Sequence, residues 1–158
     1  SIYENVFKLE GGHSMNFSLK NNTLKNQTVN EGKTIAITGT TSGTGFIAAK
    51  IVAEKGARTL LLNRKTNRSN KSYDLLKEHY PKANIVNIEC DLQSFKSVKK
   101  AAKTITDLCN DGLDVLCNNA GVMALKDQAT IDGFDIQMQT NHLSHFLKVK
   151  PIHLVLSH

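Results

Sequence analysis

Thr38-Gly39-Thr40-Thr41-Ser42-Gly43-Thr44-Gly45 is the stretch whose reading decides the fold. It follows the apolar, β-branched run Thr34-Ile35-Ala36-Ile37 and leads into residues 46–55, where apolar side chains return on a helical period. Strand, glycine turn and helix, in that order, form the setting in which a glycine fingerprint carries meaning. The physical reading is a phosphate site. Glycines let the chain turn tightly and let a pyrophosphate approach the backbone, and the N–H groups that open a helix point at the anion. An ordinary strand-to-helix turn is the competing reading of the stretch taken alone.

Outward from this turn the chain alternates regularly. Residues 33–38 are predicted as a first strand and 43–55 as a first helix closed by Gly56. Residues 58–62 follow as a second strand, continuously apolar as in sheets covered on both faces. A polar loop over 63–70 precedes a helix over 71–79, stopped by Tyr80-Pro81. A third strand over 84–89, a helix over 94–109 with Ser94 as its N-cap, and a fourth strand over 114–117 come next. The last predicted helix runs from 132 to 148, is broken by Pro151, and gives way to a fifth strand over 152–156. Strands alternating with helices imply an α/β fold with a doubly wound parallel sheet. Right-handed crossovers put the glycine turn at the carboxyl edge of the first strand, where such sheets bind ligands.

Residues 1–32 read differently. They are rich in asparagine (Asn5, Asn16, Asn21, Asn22, Asn26, Asn30), carry Gly11-Gly12, and hold no sustained period. An extended arm is expected, with a short helical turn near 17–20. Its apolar side chains Ile2, Val6, Phe7, Leu9, Phe17 and Leu19 are available to dock on the body or a partner; a flexible leader is the alternative. Residues 33–158 form the expected domain.

The 158 residues suffice for one domain with a core, at 40% hydrophobic and 22% charged residues. The net charge of +6 is modest. Its basic residues between Arg64 and Lys103 fall between apolar positions of predicted helices and read as a solvated face, with no interleaved aromatics, so a nucleic-acid partner is not expected. Cys90, Cys109 and Cys117 lack metal-ligand or redox-pair spacing and read as free thiols in a reducing compartment, cytoplasm or organelle interior. No run of eighteen apolar residues marks a membrane span, and no signal-peptide pattern follows Ser1, although a leader removed before Ser1 is compatible with this start.

Four further constellations carry chemistry. Arg64 follows the second strand, where dinucleotide folds often place an acid on the ribose 2′-hydroxyl, and no acid occurs between Leu60 and Lys71. A guanidinium there suits a 2′-phosphate, which favours NADP(H) over NAD(H). Asp91, before Leu92, ends the third strand and can accept from an adenine amino group. Asn118-Asn119-Ala120-Gly121 ends the fourth, where small residues fit backbone passing close to a ligand and amides can tie neighbouring strands. Asn141 needs a partner if buried on its helix, and His142 with His145 lacks the third ligand that a metal site requires, so no metal is expected.

Together, Thr38-Gly39-x-x-x-Gly43-x-Gly45, Asp91-Leu92, Asn118-Asn119-Ala120-Gly121 and Asn141-His142-Leu143-Ser144-His145-Phe146 resemble the motifs of the short-chain dehydrogenases/reductases, in their order. With Val122-Met123 and Asp132-Gly133-Phe134 the wording is most similar to the retinol dehydrogenase and protochlorophyllide reductase branch. The resemblance covers about residues 33–147. It implies that Gly39, Gly43 and Gly45 hold the pyrophosphate, with Thr40, Thr41, Ser42 and Thr44 as loop contacts. Arg64 would select the 2′-phosphate, Asp91 and Leu92 bracket the adenine, and Asn118 to Gly121 line the ribose and nicotinamide side. Asn141 would correspond to the family asparagine that positions a water in the proton relay.

The family does its chemistry with a tyrosine and a lysine four residues apart downstream of that asparagine, and no tyrosine follows Asn141 among these residues. Tyr73 and Lys77 have the spacing but lie on the wrong helix. Ser157 resembles the family serine after the fifth strand, yet arrives too soon, as if the chain were shortened or residues near Lys150 were missing. Two functions stand. One is an NADP(H)-dependent oxidoreductase of which this is the cofactor-binding part, moving a hydride between nicotinamide and a small-molecule carbonyl or alcohol. The other is a non-catalytic member serving as an accessory subunit, with a protein partner or second copy over an open sheet edge. Turnover by the family route is not expected of these 158 residues alone.

Overall fold

A computed structural model describes residues 30–156. The structure is a parallel sheet covered on both faces. The strands are β1 (Thr34–Thr38), β2 (Arg58–Asn63), β3 (Ile85–Glu89) and β4 (Val115–Cys117), in the order β3-β2-β1-β4. Ala36 of β1 faces Leu60 of β2 on one side and Leu116 of β4 on the other, while Leu60 pairs with Val86 of β3. β1 is buried along its whole length, as a central strand with helices above and below must be.

Side-chain alternation separates two cores. Ile35, Ile37 and Leu61 point to the face covered by α1 (Gly43–Glu54) and α2 (Asn67–His79), where Ala49, Ala53 and Leu76 meet them. Ala36, Leu60 and Leu62 point to the opposite face, against Val98, Ala101, Ala102 and Ile105 of α3 (Phe95–Leu108) and Ile152 of α5 (Ser144–Ile152). A one-residue slip of β1 would exchange the two sets, so the pattern fixes the register. Because β2 and β4 flank β1 on opposite sides, successive connections diverge at its carboxyl end and leave a crevice there.

Four expectations need correction. α2 begins at Asn67, inside the expected polar loop, because Thr66 Oγ1 accepts from Ser69 N–H while Ser69 Oγ accepts from Thr66 N–H, a reciprocal cap. The last helical region begins later than expected, at α4 (Ile136–Met138), with Asp135 accepting from Met138 N–H; it passes through a π-helical segment, Gln139–Leu143, and continues as α5. Pro151 does not break it: it lies inside α5, one residue from the end, so the helix gives up the bond to the carbonyl four residues back only in its last turn. The expected fifth strand is instead the end of α5 and a 3-10 turn, His153–Val155; only Leu156 is extended, bridging to Leu113 in parallel. Ile152, the first residue of that apolar run, is fully buried on the helix face. A short apolar run after a helix suits a buried helical turn as well as a strand.

Residues 1–29 of the expected arm and the candidate Ser157 lie outside the described residues; residues 30–32 form a turn, and Asn30 N–H bonds Lys55 O at 3.0 Å. No helix among the described residues is long and apolar enough to cross a membrane.

Candidate functional site

A cleft of about 540 Å³ opens at the carboxyl ends of the strands. Its first wall is the glycine turn. Gly39 has φ +70°, and a Cβ there would come within 2.9 Å of Ala120 Cα and Cβ, so glycine is required twice over. Thr41, Ser42, Thr44 and Gly45 line the cleft at the start of α1. Ser42, at the N-cap, makes no side-chain cap bond, and the first turn holds no acid. The leading N–H groups of a twelve-residue helix therefore face the cleft with no protein side chain capping them, a ready anion site.

One residue expected to hold the pyrophosphate and one expected loop contact do not line the cleft. Gly43 is outside its wall, and Thr40 is buried behind it. Thr40 N–H donates to Asn63 Oδ1 at 2.8 Å, Asn63 Nδ2 donates to Thr40 Oγ1 at 2.7 Å, and Ser72 Oγ donates to Thr40 O at 2.8 Å. Thr40 thus ties the turn to the end of β2 and to α2. Asn118 is likewise exposed and away from the cleft. Its neighbour Asn119 reaches in, donating to Thr38 O at 3.0 Å, and Ala120 N–H donates to Thr38 Oγ1 at 2.9 Å. These bonds tie the end of β4 to β1.

Arg64 and Arg68 form the second wall, with Thr66 between them. Both guanidinium groups are on exposed residues and neither makes an ion pair or hydrogen bond with a described residue. Arg68 escaped the sequence reading because α2 was expected to begin after it; the Thr66–Ser69 hydroxyl cap was the signal, and it lacks the usual glutamate. The third wall holds Cys90, Asp91, Leu92 and Gln93. Asp91 Oδ1 accepts from Gln93 N–H at 2.9 Å, which orients the carboxylate, and Leu92 O accepts from Ser144 Oγ at 2.5 Å. Asp91 is the only carboxylate on the lining among the described residues.

The fourth wall is Asn119 to Val122 with Thr140. Asn141, next to Thr140, does not line the cleft. Its Oδ1 accepts from Val122 N–H and its Nδ2 donates to Val122 O, both at 2.7 Å, so the amide clamps the loop beside the cleft. Thr140 is 5% exposed, and its hydroxyl is the one buried side-chain polar atom among the described residues that lacks a partner. Such a group carries a desolvation cost until something bonds it. Thr140→Val is expected to raise the unfolding free energy of the empty chain by about 1 kcal/mol, read by urea denaturation, while weakening whatever ligand fills the cleft. A variant less stable than the parent would contradict this.

Behind the fourth wall, His145 is buried and its Nε2 lies 2.9 Å from Ala120 O, whereas His142 is exposed. Burial lowers the His145 pKa from its ordinary 6.5, the bond to Ala120 opposes that, and the nearby Lys148 charge adds to it. Among the described residues no three His, Cys, Asp or Glu side chains gather to hold a metal ion. Tyr73, on α2, packs against the core of Ile35, Ile37 and Leu61, and Lys77 Nζ donates to Ala83 O at 2.8 Å at the far end of α2, so that pair takes no part in the cleft.

Chemically, the arrangement offers one anion site at α1, a second at Arg64 and Arg68, and between them a pocket with one carboxylate acceptor and apolar Leu92. A sequence model of the family described as short chain dehydrogenase matches residues 33–154. The chain is 40% identical over 114 residues to Short-chain dehydrogenase TIC 32 A, chloroplastic, of Brassica napus, a match covering 72% of this chain and 35% of that protein. It is 35% identical over 125 residues to a WW domain-containing oxidoreductase of Pongo abelii, covering 79% and 30%. Among solved structures, the Pseudomonas aeruginosa RhlG/NADP active-site complex superposes with a TM-score of 0.64 at 26% identity, over 79% of this chain and 48% of that one. The matched region spans about a third of the length of the curated relatives.

Proposed function

The chain belongs to the short-chain dehydrogenase/reductase family, and from that premise we propose that its cleft holds NADP(H) in preference to NAD(H). The family consists of oxidoreductases that use a nicotinamide cofactor on small-molecule carbonyl or alcohol substrates. The observation that carries the preference is the second wall: two unpaired guanidinium groups and no acid where a 2′-hydroxyl acceptor would stand. In this reading the N–H groups opening α1 hold the pyrophosphate and Arg64 with Arg68 hold the 2′-phosphate. Asp91 accepts from the adenine amino group over Leu92, and the Asn119–Val122 side faces the ribose and nicotinamide. Thr40, Gly43 and Asn118 act by shaping the turn and the strand ends. Asn141 positions the Val122 loop.

When bound, the cofactor supplies the hydride; the chain's residues bind and orient it. Among the described residues the lining contains no tyrosine, lysine or histidine. We read residues 33–158 as the cofactor domain and 1–32 as a separate arm, and hydride transfer to or from a carbonyl or alcohol carbon as the activity of the protein to which this domain belongs. The three free cysteines suit a reducing compartment.

Calorimetric titration tests the preference. NADPH is expected to bind at least about tenfold more tightly than NADH, since a charge-assisted bond contributes about 1.5–3 kcal/mol. Arg64→Ser and Arg68→Ser should each erase much of that ratio while leaving NADH affinity within about threefold. Equal losses for both cofactors, or tighter NADH binding by the parent, would overturn it.

A further inference from the structure

Lys148 is fully buried on α5, one helical turn beyond His145. It forms no ion pair with any described carboxylate. Its Nζ lies 3.4 Å from His145 Nδ1, and His145 Nε2 lies 2.9 Å from Ala120 O. A carbonyl oxygen only accepts, so Nε2 must carry the ring proton, and Nδ1 is then the acceptor that the Lys148 amine faces. Ala120 in turn packs on the glycine turn: its N–H holds Thr38 Oγ1, and it occupies the space a Cβ on Gly39 would need. A continuous chain of contacts therefore runs from the core, Lys148 to His145 to Ala120 to Gly39, and ends in the anion-binding wall.

We propose that Lys148 and His145 are a positioning pair for the cleft: Lys148, facing Nδ1, fixes the ring proton on Nε2, and Nε2–H holds Ala120 against Gly39. A protonated ring would present Nδ1–H to the lysine ammonium, two donors face to face in a buried site. The Nε2–H bond to Ala120 O favours the charged ring and is kept, so the relief available is for the Lys148 amine to withdraw. Lys148 is the charged group that acts on His145. The thiols of Cys90 and Cys117 face Lys148 from the ends of β3 and β4. α3 presents only the apolar Val98, Ala101, Ala102 and Ile105 from its buried face. Lys148, whose pKa is pulled down to about 8 by burial, is still charged where His145 titrates. The consequence for ligand affinity rests on the cofactor reading above; the internal coupling does not.

The test uses the ¹⁵N-labelled 158-residue chain, with imidazole and amide spectra followed from about pH 8 to about pH 5. At neutral pH His145 should be the Nε2–H tautomer, and the Ala120 and Gly39 amides should titrate with its midpoint, below 6.5. Lys148→Met removes the opposing charge and the donor to Nδ1, so the midpoint moves up by about half a pH unit or more. His145→Gln keeps an amide donor without titrating and leaves both amides flat. An Nδ1–H tautomer, a Gly39 amide blind to His145, or a midpoint that stays or falls in Lys148→Met overturns the inference. NADPH affinity should fall about tenfold in His145→Ala, which leaves Ala120 O without its donor, and be kept in His145→Gln. If NADPH fails to bind even at neutral pH, the cofactor reading fails, and the amide titration still decides the coupling.

Discussion

Gly45→Ala is expected to lower the unfolding free energy by about 3 kcal/mol and to abolish NADPH binding. A Cβ on Gly45 would fall on the carbonyl oxygen of Gly39 and on Asn119 Nδ2, closer to each than the 3.0 Å that real Cβ atoms respect. Neither neighbour can yield cheaply. Gly39 is held by its N–H bond to Leu62 O at 3.0 Å, and Asn119 Nδ2 is bonded to Thr38 O. Making room spreads the turn from the end of β4 and pulls the N–H groups of α1 off the anion site. Gly43→Ala is the control. Nothing lies within 4 Å of that Cβ, and its φ of +57° costs an L-residue only about 1–2 kcal/mol. Urea denaturation and NADPH titration of both variants decide the point; a Gly45→Ala chain as stable and as competent as Gly43→Ala would contradict the close approach.

Lys148→Met should act in the opposite sense, raising the unfolding free energy by roughly 3 kcal/mol at pH 7. Burial without a carboxylate lowers the Lys148 pKa from 10.5 to about 8, with Cys90 and Cys117 opposing the fall only in part. Below pH 8 the lysine is charged in both states, and the folded state carries the whole cost. As pH rises from 8 towards 10.5 the folded chain has released a proton that the unfolded chain keeps, so the parent gains stability with pH. Methionine fills the space without charge and removes that slope. The advantage of the variant should therefore shrink as the pH of the urea melts approaches 10.5. An unchanged or lower stability at pH 7 would contradict a buried, uncompensated lysine.

What the sequence made legible depended on how local each signal was. The sheet, the glycine turn and α1 were legible because burial on both faces leaves continuous apolar runs and because the turn chemistry is local. The start of α2 was hidden because Thr66 and Ser69 cap each other through hydroxyls alone, and with it went Arg68 and half of the second anion wall. Thr40 and Asn63 show a different limit: adjacent loop residues look equivalent in sequence, yet one lines the ligand side and the next turns inward to a partner 23 positions away. The run after Pro151 was ambiguous between strand and helix end, and the burial of Ile152 decided for the helix. Lys148 was legible in principle. Ser144, Lys148 and Ile152, each four residues from the next, form one buried stripe of α5. A lysine in that stripe was a conflict that charge counting over the whole chain could not reveal.

The most direct test of the central claim, that the cleft at the carboxyl ends of the strands holds NADPH, is an amide chemical-shift map of the chain titrated with that cofactor. Saturable shifts are expected on Gly39, Thr41 to Gly45, Arg64 to Arg68, Asp91 to Gln93 and Asn119 to Val122, with the far ends of α2 and α3 silent. Shifts centred elsewhere, or none at millimolar NADPH, would contradict it.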